Sequence, residues 1–133
     1  MSFNFLAPWS SQILSLLRIM TGLLFFSHGS GKYFEFPHVV AYDAMQPIQP
    51  MSLVGVAGIM ELVGGALIVV GLFTRPVAFI LSGMMAVAYF LAHAPKDFQP
   101  LVNGGESAIL FCFIFLYLSA AGGGAWGLDA MRR

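Results

Sequence analysis

Four apolar segments, separated by short links rich in proline and glycine, constrain the fold of this chain most strongly. They cover roughly residues 13–34, 51–73, 76–93 and 106–121. A helix needs about 20 mainly apolar residues to cross the hydrocarbon core of a bilayer. The first two segments meet this length, the third lies near the lower limit and the fourth is short. Because backbone polar groups in lipid must pair within their own segment, we expect all four to be helices.

Charge content supports a lipid environment. Charged residues make up 9% of the 133 residues, and hydrophobic residues make up 59%, whereas about a quarter of the residues in soluble domains are charged. Six basic residues balance six acidic ones, so there is no basic patch, and nucleic-acid binding is not expected. Cys112 is the single cysteine, which excludes a disulfide within the chain and a cysteine-based metal site.

The predicted fold is therefore all-α, a four-helix transmembrane bundle that forms one domain over residues 1–133. With four spans, the N-terminus, the "FTRP" link and the C-terminal tail share one side of the membrane. That side carries Arg75, Arg132 and Arg133, and the other side carries Lys32 and Lys96. Because short cytoplasmic loops are enriched in Lys and Arg, we expect both termini on the cytoplasmic side of the membrane.

Several polar residues lie inside the first two apolar segments. The stretch "LLRIMTGLLFFSHGSGKYF" contains Arg18, His28 and Lys32, which fall within one arc of roughly 80° on a helix. Glu61 lies near the middle of the second segment, where an unpaired carboxylate costs on the order of several kcal/mol. The guanidinium of Arg18 can grip a carboxylate with two hydrogen bonds. We therefore predict a structural ion pair between Arg18 and Glu61, with a proton-relay or ligand-binding carboxylate as the alternative.

A second polar group is expected at the outer, non-cytoplasmic ends of the helices, and its members are His28, Lys32, His93, Asn103 and Glu106. Such a cluster could hold the headgroup of a quinone, because that headgroup needs hydrogen-bond donors and a group that titrates near neutral pH. Two histidines and a carboxylate could instead hold a metal, or the histidines a haem. Because no dedicated metal motif is present, we expect neither. A purely structural role of hydrogen-bonded histidines is the remaining alternative.

Three stretches of the chain carry a family resemblance. They are "LLRIMTGLLFFSHGSGKYF", "GIMELVGGALIVVGLFTRPVAFIL" and "AYFLAHAPKDFQPLVNGGESAILFCFIFLYLSAAGGGAWGLD". Together they resemble the DoxX family of small bacterial membrane proteins over roughly residues 14–129. The resemblance implies a four-helix membrane bundle and a link to subunits of quinone-linked oxidoreductases. It marks these family-pattern positions: Arg18, His28, Gly29, Lys32, Glu61, Arg75, His93, Asn103, Gly104, Gly105 and Glu106.

The resulting functional hypothesis is an accessory or anchor subunit that supports quinone-linked redox chemistry in the inner membrane. Its expected partners are the lipid bilayer and either a larger membrane redox complex or further copies of the same chain. No residue is assigned a catalytic role, and a catalytic activity of its own is left open. The alternative is a non-enzymatic membrane scaffold, an assembly factor or a small-solute carrier with a structural polar core.

Overall fold

The computed structural model describes residues 3–133, and within this range it consists of helices without strands, which confirms the predicted all-α class. A short 3₁₀ turn at Ala7–Trp9 leads into the first helix, and a π-helical turn at Tyr89–His93 extends the fourth. The described residues form seven α-helices: α1 Ser10–Phe34, α2 Val40–Asp43, α3 Leu53–Val70, α4 Thr74–Ala88, α5 Pro100–Asn103, α6 Glu106–Ala121 and α7 Leu128–Met131.

Within residues 3–133, three helical segments are long and apolar enough to cross a membrane. They are Ala7–Phe34, Leu53–Val70 and Thr74–His93. The fourth apolar segment forms α6, which covers the predicted range but has only 16 residues. At a rise of about 1.5 Å per residue, α6 is about 24 Å long, less than the hydrocarbon thickness of about 30 Å. The structure therefore contains three candidate membrane spans and one shorter apolar helix.

The described residues divide into two compact units, and the first contains residues 3–73 and 123–133. Its main elements are α1 and α3, which run antiparallel with glycines at their contact. A Cβ atom placed on Gly29 would lie 2.6 Å from the carbonyl oxygen of Gly58, and one placed on Gly65 would lie 2.9 Å from the Phe26 backbone. Only glycine therefore lets the two backbones approach this closely.

The C-terminal tail belongs to the same unit. The amide of Ala125 donates to the Ser11 carbonyl at 3.4 Å, and the amide of Asp129 donates to the Gly71 carbonyl at 2.9 Å. The Asp129 carboxylate accepts a hydrogen bond from the Phe73 amide at 2.8 Å. The tail therefore lies against the beginning of α1 and the end of α3.

The second unit contains residues 74–122, and α4 and α6 form its antiparallel pair. Near the middle of the pair, the Ser82 hydroxyl donates to the Cys112 carbonyl at 2.8 Å. At one end, Arg75 in the first turn of α4 donates to the Ala120 carbonyl in the last turn of α6. The fully buried Phe115 belongs to the core of this unit.

Candidate functional site

The main polar cluster of the first unit lies where the last turn of α1 passes the middle of α3. The ammonium of Lys32 lies 2.7 Å from Glu61 Oε1 and 2.9 Å from Glu61 Oε2. The two side chains are 12% and 6% exposed, respectively. Gly58 makes room for this pair, because a Cβ atom there would lie 2.7 Å from the Tyr33 ring and 3.5 Å from Cδ of Lys32. The result is a nearly buried ion pair on the contact face of two apolar helices.

The predicted pairing of Arg18 with Glu61 is wrong. Arg18 is fully buried, and within residues 3–133 it donates to main-chain carbonyls: Nε to Gly123 at 2.8 Å, Nη1 to Ile68 at 2.7 Å and to Val69 at 2.5 Å, and Nη2 to Trp126. The physical reason is register. In the antiparallel pair Arg18 lies opposite the end of α3, about two helical turns beyond Glu61, while Lys32 lies beside the carboxylate.

Tyr42, from the loop between α1 and α3, covers the ion pair. Lys32 Nζ lies 5.6 Å from the centre of the Tyr42 ring, close enough for a cation–π contact. The Tyr42 hydroxyl lies 3.0 Å from Nδ1 of His28. Burial raises the pKa of Tyr42, and the negative charge of Glu61 raises it further. The phenol is therefore neutral at physiological pH and keeps its proton for hydrogen bonding.

Several contacts hold this loop against the end of α1. The Gln46 side chain donates to the Lys32 carbonyl at 2.8 Å, which satisfies one of the carbonyls left unpaired at a helix C-terminus. The Ser30 hydroxyl donates to the Phe36 carbonyl. Gly31 lies beneath Tyr42, and a Cβ atom there would lie 3.2 Å from the ring. Tyr42 is not among the residues predicted from the sequence, where the only signal is an aromatic residue in a proline-rich loop.

The second unit carries a separate polar network at the π-helical turn. Nδ1 of His93 lies 3.1 Å from the Asn103 carbonyl, and the Asn103 side chain donates to the Tyr89 hydroxyl at 3.1 Å and to the Asp97 carbonyl at 3.0 Å. The Asn103 amide oxygen accepts from the Gly105 amide at 2.8 Å. Asn103 is therefore the centre of this network and is itself buried.

The five predicted members of the outer cluster are distributed over the two units. The first unit brings His28 and Lys32 together with Glu61 and Tyr42, and the second brings His93 together with Asn103. Glu106 is exposed at the first position of α6. Between residues 3 and 133, no hydrogen bond or ion pair connects Glu106 to His93 or Asn103.

The chemistry available in the first unit is that of a proton-exchanging donor site. Lys32 and Tyr42 can donate hydrogen bonds, and Glu61 and His28 can take up or release a proton. In the part of the chain that the structure describes, no group of three or more His, Cys, Asp or Glu side chains could hold a metal ion.

Comparisons with known proteins agree with the membrane character of these helices. The DoxX family model matches residues 13–94. A Haemophilus influenzae protein named "Uncharacterized protein" is 43% identical over 129 residues, which cover 95% of each chain. A Bacillus subtilis protein named "Putative oxidoreductase CatD" is 27% identical over 114 residues, which cover 86% of this chain and 82% of that protein. No solved structure matches the chain significantly.

Proposed function

Because this chain belongs to the DoxX family of membrane proteins, we propose that it supports quinone-linked redox chemistry in the bacterial inner membrane, as an accessory or anchor subunit. The observation that carries the proposal is the nearly buried Lys32–Glu61 pair beside His28, on helices that are otherwise apolar. A relative named as an oxidoreductase, over most of both chains, favours the same class of chemistry.

The residues of the cluster fit a quinone headgroup. A quinone carries two carbonyl acceptors, so its site must supply donors. Lysine has three N–H donors, and Glu61 takes up two of those of Lys32, which leaves one for a carbonyl of the ligand. Glu61 and His28 are the groups that can exchange protons with it. When bound, a quinone supplies the capacity to take up two electrons and two protons, and the electrons come from a partner oxidoreductase subunit.

The proposal includes the membrane arrangement predicted from the sequence. The chain forms one domain with four spans, in which α6 is the fourth, and both termini are cytoplasmic. Trp9 and Trp126 are 58% and 53% exposed in the first unit, which suits tryptophans at a membrane interface. In the second unit, His93, Asn103 and Glu106 remain candidate cofactor-binding residues, as predicted from the sequence.

Thermal unfolding in mild detergent tests quinone binding. We expect decylubiquinone to raise the Tm of the wild-type protein in a concentration-dependent way, because a ligand that binds only the folded state stabilises it. The variant Lys32→Met/Glu61→Leu should lose this shift, whereas Tyr117→Phe, an exposed tyrosine on α6, should keep it. A wild-type protein with an unchanged Tm over the whole concentration range refutes the proposed site.

Extraction in mild detergent tests the subunit role. We expect the tagged chain to bring down an oxidoreductase partner in a constant stoichiometric ratio, and the ratio should survive Tyr117→Phe. Recovery of the chain without such a partner would contradict the anchor role, independently of the result with quinone.

A non-enzymatic scaffold is the second candidate, and Arg18 favours it. The guanidinium of this residue donates to four carbonyls within the protein, so its role is to hold chain segments together. A scaffold needs the Lys32–Glu61 pair only for stability. In that case Lys32→Met/Glu61→Leu, once folded, complements a deletion strain as well as the wild-type gene does.

A further inference from the structure

The geometry points to Tyr42 as the second hydrogen-bond donor of the quinone site, with its hydroxyl donating to the ligand carbonyl that Lys32 does not bind. This inference rests on the proposed function and extends it to a loop residue. Tyr42 lies outside the candidate membrane spans, so the headgroup would be held between a membrane helix and the loop that covers its end.

The position of Tyr42 is the first argument. Its ring lies against the ammonium of Lys32, 5.6 Å from Nζ, and its hydroxyl lies 3.0 Å from Nδ1 of His28. The side chain therefore touches both of the polar residues that α1 contributes to the proposed site. It also provides the hydroxyl donor needed for a second carbonyl of a quinone.

The second argument is that the protein holds Tyr42 in place before any ligand binds. Gly31 gives the ring its position, since a Cβ atom there would crowd the ring at 3.2 Å. Gln46, four residues after Tyr42, ties the loop to the Lys32 carbonyl. A donor that is already positioned loses little conformational entropy when the ligand arrives, and this improves affinity.

The third argument concerns the proton. The inference includes a His28 ring that carries its proton on Nε2, so that Nδ1 accepts from the Tyr42 hydroxyl at 3.0 Å. A tyrosine hydroxyl has one proton to donate, so in this arrangement Tyr42 can donate it either to Nδ1 of His28 or to a ligand carbonyl. Binding of a quinone is therefore coupled to the release of His28. This coupling predicts a spectroscopic change at His28 that a purely structural tyrosine would not produce.

Equilibrium binding of two probes tests the inference. Decylubiquinone offers two ring carbonyls, and a decyl-substituted cyclohexenone offers one. We expect Tyr42→Phe to weaken decylubiquinone binding about tenfold, the usual effect of one lost hydrogen bond, and to leave the Kd of the cyclohexenone unchanged. Tyr33→Phe is the matched control, because Tyr33 donates to the Gly55 carbonyl in the same unit. It should leave the ratio of the two Kd values unchanged.

The outcomes separate the inference from the function on which it rests. If Tyr42→Phe binds decylubiquinone as tightly as wild type, while Lys32→Met does not, the role of Tyr42 is overturned and the quinone site stands. If the wild-type protein binds neither probe, both are overturned. A second measurement uses only the wild-type protein to read out the effect of the ligand, and so tests the inference even if Tyr42→Phe folds poorly. In the wild-type protein, decylubiquinone should shift the ¹⁵N resonance of His28 Nδ1, assigned with His28→Gln, and an unchanged resonance on saturation overturns the inference.

Discussion

At the scale of single residues, Lys32 and Glu61 balance each other's charge at the contact between α1 and α3. Both side chains are nearly buried, and each removes the cost of leaving the other charge unpaired. Loss of one partner from a buried pair is much more damaging than replacement of both by apolar residues of similar size. The pair is therefore a stability determinant as well as a candidate binding site.

We expect Lys32→Met to lower the free energy of unfolding by about 3–5 kcal/mol, because it leaves the nearly buried Glu61 without its partner. The double variant Lys32→Met/Glu61→Leu should recover most of this loss. Thermal unfolding in one detergent measures both. The comparison variant is Arg18→Met/Glu61→Leu. Its two effects on the free energy of unfolding should add, because among residues 3–133 Arg18 and Glu61 share no hydrogen-bond partner. Recovery in the comparison variant, and none with Lys32, would contradict the observed pairing.

The sequence identified the buried polar residues of α1 and α3 but assigned the wrong partner. Helical periodicity shows which residues share a face of one helix, and it placed Arg18, His28 and Lys32 on one arc. It does not fix the register between two helices, which depends on the glycine contacts and on the length of the loop. Tyr42 could not be placed at all, because it lies in α2, a helix of four residues inside the loop, and so short a helix shows no hydrophobic periodicity that would indicate where a side chain points.

At the scale of elements, Arg18 joins three segments of the first unit. The last carbonyls of any α-helix lack partners within the helix, and Arg18 satisfies those of Ile68 and Val69 at the end of α3. With its remaining donors it holds the tail at Gly123 and Trp126. One planar guanidinium thus holds α1, α3 and the tail together. The ammonium group of a lysine cannot make the same set of hydrogen bonds.

Arg18→Lys should therefore release the tail while leaving the second unit intact. Lysine has three donors in place of the fork of arginine, and each lost hydrogen bond from a charged group costs about 1.5–3 kcal/mol. We expect at least about tenfold faster amide hydrogen exchange at Trp126 and Asp129. Arg75→Lys is the control and should affect only the end of α6, where Arg75 binds. Unchanged exchange at both tail amides in Arg18→Lys would show that the tail is held by other contacts.

The close contact of α1 with α3 gives a second prediction at this scale. Alanine is a better helix former than glycine by about 1 kcal/mol, so Gly29→Ala would be stabilising on propensity alone. Because its Cβ atom would meet the Gly58 carbonyl at 2.6 Å, we expect a net loss of about 1–3 kcal/mol from overpacking. Thermal unfolding measures the difference.

Gly83→Ala is the matched control, since a Cβ atom on Gly83 meets nothing within 4 Å. This variant should be neutral or slightly stabilising. An equal response of the two glycine variants would mean that α1 and α3 do not approach each other at Gly29.

Capping residues in the sequence are sufficient to predict some helix boundaries. The second apolar segment was predicted over residues 51–73, and α3 covers the shorter range Leu53–Val70. The Ser52 hydroxyl accepts from the Gly55 amide at its start, and Gly71 ends it with a φ of 72°, so both signals were present in the sequence. The π-helical turn at Tyr89–His93 had no such signal, because its extra residue depends on the packing around Tyr89 and Asn103.

At the scale of the whole molecule, the position of α6 in the membrane decides the topology. Three segments are long enough to span the membrane, namely Ala7–Phe34, Leu53–Val70 and Thr74–His93, whereas α6 is a shorter apolar helix. A helix of about 24 Å can still cross if it stands upright or if the bilayer thins locally. After its first two residues the helix is mainly apolar, with Phe113, Leu116 and Tyr117 exposed. In water the exposure of those side chains would cost free energy. The bilayer is therefore the environment that suits α6.

Cysteine labelling on the two sides of α6 tests this arrangement. In a Cys112→Ser background, Phe98→Cys and Met131→Cys place single thiols at positions that are 90% and 79% exposed. If α6 crosses the membrane and the termini are cytoplasmic, a membrane-impermeant maleimide should label Phe98→Cys in intact cells and label Met131→Cys only after permeabilisation. Phe36→Cys, 78% exposed in the loop after α1, should behave like Phe98→Cys.

Each alternative topology gives a different labelling pattern. If α6 lies along one surface, Phe98→Cys and Met131→Cys react together. If the chain crosses four times in the opposite orientation, the two patterns exchange. Three arginines on one side of the membrane against two lysines on the other favour cytoplasmic termini, and the labelling of Phe98→Cys against Met131→Cys measures that orientation directly. Whether the two thiols differ at all depends on whether α6, at its length, crosses the bilayer.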